Sequence, residues 1–312
     1  MGAYVVRRLW QMVPTLIGVI LLVFFLFNWV GGDPAYVLAG LFSNDAQIEA
    51  IRRELGLDQP LWVQLWIFVQ QVVTFDFGNS WTSGEPVSSL FLSRLPATIT
   101  LLLPLLVIET VLCLALAVLL AWLRGELIDR VTMVIFTTAM SVSILVFIIL
   151  GQYFLAYRWG LFPVQGWSDD LWTNLTRYAP LPILLGLLVS IAPNTRLFRS
   201  FVIEEVNQEY VRTAYAKGLS RRRVLFVHVL RNSMIPVITF VVSNLPALLL
   251  GSFLLERFFG IPGMGREIIL AVERSDFPVI KATTVYLAIA TMLFNLLGDL
   301  LYQVTDPRVE LK

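Results

Sequence analysis

From residue 9 to residue 30 the chain carries no charged residue, and five more apolar stretches follow at 96–123, 131–157, 178–195, 233–255 and 282–304. About 20 helical residues rising 1.5 Å each cross the hydrocarbon core of a bilayer. Inside that core no water bonds a free N–H or C=O, so a spanning segment satisfies its backbone internally, as a helix does. The six stretches therefore predict an all-α integral membrane protein with six transmembrane helices. Composition agrees: 57% of residues are apolar and 14% charged, against about 25% charged in an ordinary soluble domain. The first stretch outruns the roughly 7–15-residue core of a cleaved signal peptide, and no small-residue cleavage site closes it. It is expected to remain as a helix, with Pro14 in its first turns. Pro163, Gly166, Pro180 and Pro182 mark the turn between the third and fourth spans.

One charged stretch, 204–236, lies between the fourth and fifth spans. Ile203, Val206, Tyr210 and Ala214 recur at helical spacing. Gly218 then suits a left-handed C-terminal cap, and Ser220 can cap a second helix. In that second helix Val224, Val227, Leu230 and Met234 share a face. The stretch reads as helix, tight turn, helix, with a basic tip of Lys217, Arg221, Arg222 and Arg223. A solvated basic loop, a DNA-binding helix-turn-helix and a docking element for a soluble partner all fit that outline. Membrane-length segments at both ends weigh against the DNA reading. Net charge is +1, which points to no class of partner. Cys113 is the only cysteine and His228 the only histidine, which excludes an intrachain disulfide and argues against a zinc site. No GxxxxGK[ST] phosphate loop occurs, so any ATP that drives the protein binds another chain.

Between the first and second spans lies a long polar stretch, 31–94. Ile48, Ile51 and Leu55 have helical spacing, and Leu61, Trp62, Leu65, Trp66 and Val69 form an interfacial face. Trp66 and Trp81 read as interfacial anchors rather than a ligand-stacking pair. After the fifth span Gly260, Pro262, Gly263 and Gly265 force a turn, and Ile268, Ile269, Ala271 and Val272 suggest a short helix. With six spans both termini share a side. That side takes fourteen basic residues against nine, which makes it the cytoplasm. Glu109 falls within the second span, where a carboxylate costs a few kcal/mol unless protonated, paired or wet. It is a proton relay, a lining group or a hydrogen-bonded structural carboxyl. No intramembrane arginine or lysine completes a relay. Asn295 and Asp299, four apart, face a neighbouring helix as hydrogen-bonding groups. A pathway for varied solutes needs uncharged polar lining, for which the candidates are Ser141, Ser143, Gln152, Ser190, Asn194, Ser243, Asn244 and Ser252. Each has helix–helix contact as its alternative.

The runs EYVRTAYAKGL and HVLRNSMIPV resemble the cytoplasmic loop of ABC-importer permeases of the oligopeptide/dipeptide/nickel group. RRLWQMVPTLIGVILLVFFLF followed by GGDP, then ELGLDQP, FDFGNS, the PGMG turn and NLLGDLLYQVTDPRV match the same family in order. In the last of these, Asn295, Asp299, Tyr302, Asp306 and Pro307 are in place. The resemblance implies a type I ABC-importer permease fold: an N-terminal helix (1–30), an external loop with short amphipathic helices (31–94), a five-helix core (95–305) containing the coupling loop 204–236, and a cytoplasmic tail (306–312). In the loop, Thr213, Ala214, Gly218, Asn232 and Pro236 occupy motif positions. The ATPase-coupling set is Glu209, Tyr210, Arg212, Thr213, Ala214, Ala216, Lys217, Gly218, Leu219 and Ser220, with small residues allowing close seating in a groove. Gly260, Pro262, Gly263 and Gly265 become an external docking loop. Further implications are a second homologous permease, two ATP-binding cassette subunits carrying ATP and magnesium, an extracytoplasmic substrate-binding protein, no cofactor or metal in this chain, no nucleic acid, and a bacterial inner-membrane location with cytoplasmic termini. Two departures stand out. Glu109 has no counterpart in the family pattern, and SVSILV from Ser141 lacks the expected proline, which leaves a kink absent or shifted. Two rivals remain. A gradient-driven secondary transporter using Glu109 would carry midplane carboxylates and an internal repeat, and no repeat is found. An intramembrane hydrolase would need serine with histidine, and His228 lies on the loop.

Overall fold

The computed structural model describes residues 2–30, 33–39 and 44–305. The expected tail 306–312, with Asp306 and Pro307, lies outside them. Among the described residues there are helices and no strand, only an isolated bridge between Asn79 and Pro86. Among the described residues five helices are long and apolar enough to cross a membrane, and a bent pair counted as one broken span makes six.

Several limits differ from the sequence expectation, each for a physical reason. The first span is already helical at Gly2 and widens into a π-helical turn over Leu26–Val30. Pro14 is therefore mid-helix rather than in the first turns. The helix is drawn out at its start by the sixth span: Arg8 pairs with Asp299 at 2.7 Å, and the Tyr4 hydroxyl donates to the same carboxylate at 3.0 Å. The second span, Val87–Trp122, passes through Pro96 and Pro104. Fully buried Val87 and Leu90 hold its early turns, which offsets the N–H that Pro96 lacks.

The third span is the largest correction. Instead of one helix over 131–157 it is two, Leu127–Ala139 and Ile144–Arg158, meeting at 90°. The break falls on the SVS run where no proline is found. Ser143 is extended, and its hydroxyl accepts the Leu145 N–H at 3.3 Å. A serine cap thus starts the second helix without a proline. The fourth span runs Pro180–Val206 and the sixth Phe277–Thr305. The fifth, Arg221–Leu250, stops before residue 255. Gly251 at φ 75° turns the chain there, and Phe253–Phe259 is a separate short helix.

Three apolar clusters stack from one end of the bundle to the other. At one end Val23 and Phe24 of the first span meet Phe68 and Val72 of helix Leu61–Thr74 and Val279 and Ala282 of the sixth span. Next to it Leu101 of the second span meets Ile148, Leu181 and Leu185, in a cluster shared with Leu255 and Phe259 of the short helix Phe253–Phe259. At the other end Val118 and Ala121 meet the loop that follows the fourth span. Between these layers Cys113 and Ala117 pack on Phe198.

The 31–94 stretch is helical in pieces. Asn44 and Gln47 make a capping box for Asp45–Glu54, as the polar start of that segment favours. Trp62 and Trp66 stand exposed on Leu61–Thr74, in keeping with interfacial anchoring. Trp81 corrects the expectation for that pair. Its ring packs edge-on against Phe277 at 5.5 Å, and its backbone N–H donates to Asp276. Asp276, buried just before the sixth span, also accepts from the Ser80 hydroxyl and the Thr82 N–H. It clamps the 79–86 turn onto that span.

Candidate functional site

At one end of the bundle the charged stretch between the fourth and fifth spans folds as predicted in outline. The fourth span ends at Val206, Asn207 and Gln208 interrupt it, and a loop helix runs Glu209–Ala216. Ile203 and Val206 therefore belong to one helix and Tyr210 and Ala214 to the next, not to one continuous helix. All four still pack in the same cluster, because the two-residue break bends the chain without turning the face away. Gly218 takes φ 78°, the left-handed cap predicted for it. Ser220 accepts the Arg223 N–H at 3.4 Å and opens the fifth span. The face predicted for that span is corrected. Val224–Val229 is π-helical, and the wider turn rotates the register. Val224, Leu225 and Val229 are buried, while Phe226 and Val227 are exposed.

The loop helix has two unlike faces. Val211 and Ala214 point inward among Val118, Ala121, Val202 and Val224. Glu209, Arg212, Thr213, Ala216, Lys217, Gly218 and Ser220 are exposed, with Tyr210 and Leu219 half-buried at the edges. The only ion pair on the outward face among the described residues is Arg212–Glu209 at 2.9 Å. Two of the small residues read as groove-seating have other roles within the chain. Ala214 is packed against its own spans. A Cβ at Gly218 would meet nothing within 4 Å, so inside this chain it is the positive φ, not crowding, that calls for glycine.

Polar contacts hold this element to the spans. The Tyr210 hydroxyl donates to Glu205 at 2.6 Å. Burial, helped by that carboxylate, pushes the phenol up to about 12, so it remains a donor at neutral pH. The Arg221 guanidinium lies 4.8 Å over the Trp122 ring and donates to the Trp122 carbonyl. Deeper in, Arg199 of the fourth span pairs with buried Asp129 at the start of the broken third span, at 2.8 Å. Arg196 adds a bond to Thr137 at 3.3 Å. Second, fourth and fifth spans thus converge on one small basic element, and the third is tied to the fourth beside it.

The opposite end holds a site that reading the sequence missed. Glu256, fully buried on helix Phe253–Phe259, accepts from the Thr98 hydroxyl at 3.0 Å, the Ser252 N–H at 3.2 Å and the Arg266 N–H at 2.8 Å. Thr98 in turn accepts the Met264 N–H at 2.7 Å. A Cβ at Gly263 would lie 2.5 Å from the carboxylate carbon and 2.6 Å from the Thr98 oxygen, and one at Gly265 would lie 2.7 Å from the Phe253 nitrogen. The glycines of the PGMG turn are there to let backbone close around a carboxylate. Burial pushes the Glu256 carboxyl up, against the pull of the Arg266, Thr98 and Ser252 donors. The legible signal was a lone acid beside glycine-rich turns in ERFFGIPGMG. The predicted helix after the turn is present as Met264–Glu273.

Mid-bundle, Glu109 is buried and accepts from the Asn194 amide, with Ser190 alongside. Two of the lining candidates thus meet the carboxylate that had no assigned partner. The others scatter. Ser143 caps the broken span, and Ser141 is exposed beside it. Gln152 donates to the Val164 and Phe258 carbonyls at 3.1 and 2.9 Å. Asn244 bonds back to the Phe240 carbonyl, and the Ser252 N–H is used by Glu256. Ser243 lines a cavity of about 430 Å³ with Arg8, Thr239, Asn295 and Asp299, between the first, fifth and sixth spans. Asp299 itself makes the inter-helix bonds expected of it.

Six spans, one broken at mid-length, with a basic element packed on three of the others at one end, define a multi-pass membrane protein. Comparison with known proteins gives the family. Residues 113–311 match the model of binding-protein-dependent transport system inner membrane components, and residues 1–102 match the model of the N-terminal part of such membrane components. The chain is 32% identical to the dipeptide transport system permease protein DppB of Escherichia coli (strain K12) over 335 residues, covering 99% of each. It is 34% identical to a putative peptide transport system permease protein of Brucella abortus (strain 2308) and to the glutathione transport system permease protein GsiC of Shigella flexneri serotype 5b, again over 99% of each. The chain belongs to the family of binding-protein-dependent transport system inner membrane components. It is a multi-pass inner-membrane subunit of an ABC import system with partner components, and not an enzyme.

Proposed function

We propose that this chain forms half of the translocation pathway for peptides or a similar small solute, and that the 204–236 loop couples it to separate ATPase subunits. The observation that carries this is the two-faced loop helix. Its inward side is locked into a cluster shared by the second, fourth and fifth spans, while its outward side presents Glu209, Arg212, Thr213, Ala216 and Lys217 to whatever lies beyond. A displacement of that outward face is passed to the spans because their contact is close-packed and stiff. The peptide class is favoured by the names of the similar permeases, two of which are peptide or dipeptide systems. The partners are then a second homologous permease, two ATP-binding cassette subunits that hold ATP and magnesium, and an extracytoplasmic binding protein that rests near the turn at Gly260, Pro262, Gly263 and Gly265. Both termini are cytoplasmic in this reading, on the side of the basic loop. ATP binding closes the ATPases and moves the loop helix. Each ligand can shift the inward–outward balance only by its difference in affinity for the two states.

The test is co-purification in mild detergent, with ATP hydrolysis assayed on the isolated complex. Gly218→Arg adds a long side chain at an exposed position where a Cβ meets nothing within 4 Å. Its internal cost is that of a positive φ, about 1–2 kcal/mol. Gly218→Ala carries the same backbone cost without the bulk. The expected result is that Ala keeps the ATPase subunits bound and Arg loses them, at equal membrane insertion. Retention of the ATPase subunits and of solute uptake by the Arg variant would overturn the docking assignment. Ala214→Trp does not serve here, because Ala214 faces the chain's own core.

A further inference from the structure

Beside the loop helix an apolar groove of about 740 Å³ runs along the last turns of the second span. Its walls are Val111, Leu119 and Trp122 on one side and Leu225, Phe226 and Leu230 on the other. Val111 to Trp122 covers about 17 Å of helix at 1.5 Å per residue, close to the half-thickness of a hydrocarbon core, about 15 Å. At its end the groove meets a second pocket of about 370 Å³ lined by Ser220, Arg222, Arg223 and Phe226, and Arg222 and Phe226 belong to both. The arginines beside it are not equivalent. Arg221 is engaged with the Trp122 ring and carbonyl. Arg222 and Arg223 are exposed, and neither is in an ion pair among the described residues. The depth is also defined. The second span ends at Trp122 and the fifth begins at Arg221, which places both at the level of the headgroups, where tryptophan and cytoplasmic arginine concentrate. A site one leaflet long, apolar throughout and cationic at its interfacial end has the chemistry of a single acidic lipid.

We propose that an anionic phospholipid of the cytoplasmic leaflet occupies this groove, its acyl chain against Val111–Trp122 and its phosphate on Arg222 and Arg223. The groove joins the second span to the start of the fifth, so the bound lipid braces the element that carries the loop helix. The inference rests on the orientation given under the proposed function, but not on the ATPase docking itself. Each arginine near an anionic surface contributes roughly a fivefold preference.

The experiment uses the intact purified assembly in nanodiscs of phosphatidylcholine with phosphatidylglycerol, and reads retained lipid by native mass spectrometry. The expected result is one retained phosphatidylglycerol per copy of this chain. Arg222→Gln with Arg223→Gln should lower its preference over phosphatidylcholine roughly 25-fold, the product of two such factors. Ala115 also lines the groove, and Ala115→Trp, which fills it, should remove both lipids with the arginines intact. Equal retention of the two lipids by the wild type would overturn the proposal. So would a photo-crosslinker at position 115 that captures a neighbouring subunit instead of lipid. The same spectra count ATPase subunits, so equal retention of the two lipids by a wild type that still holds those subunits would refute the lipid site and leave the coupling assignment standing.

Discussion

Glu256→Ala should open the outer glycine turn while leaving the rest of the bundle in place. The carboxylate is fully buried and takes three donors, of which the Thr98 hydroxyl can rotate but the Ser252 and Arg266 N–H groups cannot. Each buried donor left without a partner costs about 1–3 kcal/mol. Two such donors give about 2–6 kcal/mol against the closed turn. At roughly tenfold per 1.4 kcal/mol, the lower limit alone is about a 30-fold rise in the open population. Glu256→Gln is the milder perturbation, since the amide keeps one acceptor oxygen and turns an NH₂ toward a donor, costing about 1–3 kcal/mol for a single lost bond. Hydrogen–deuterium exchange read by mass spectrometry is the assay, on peptides covering 251–266. Exchange there should rise at least about 30-fold in the Ala variant and less in the Gln variant. The 79–86 turn is the internal control, because Asp276 holds it independently. Unchanged exchange at 251–266, or an equal rise at 79–86, would refute the idea that Glu256 holds this turn locally.

Arg199→Met should be strongly destabilising, by about 3–5 kcal/mol, because Asp129 is left buried and uncompensated; a thermal midpoint within a degree or two of wild type would contradict a buried pair that matters. Glu109→Gln should leave uptake within about twofold of wild type and insensitive to collapse of the proton gradient, since an amide can still bond Asn194; abolished uptake, or uptake that follows the gradient, would return Glu109 to a transporting role.

The charged loop shows how far local pattern carries. Gly218 and Ser220 were legible as caps because capping is a property of a few adjacent backbone groups, and both behave as read. The face of the following helix was not. A 3.6-residue period placed Val227 with Val224, and the π segment Val224–Val229 displaced it. Nothing in VLFVHV itself announces that widening. Ala214 falls on a helical face that packs against the chain's own spans rather than outward, because periodicity gives a face without saying which of two surfaces it meets.

By itself the sequence determined the class: six runs too apolar for water, a basic loop between two of them and, through the order of its motifs, a transport family. These follow from transfer of side chains and backbone into hydrocarbon, which is set by composition along a short window. Only the tertiary structure decided that the third span breaks at a serine cap, that Asp299 holds Arg8, that Asp276 clamps Ser80, and that the PGMG glycines close around Glu256. Each joins residues far apart in the chain. Such contacts are fixed by which buried polar groups find partners once the helices pack, and a burial penalty of that kind has no signature in the local sequence.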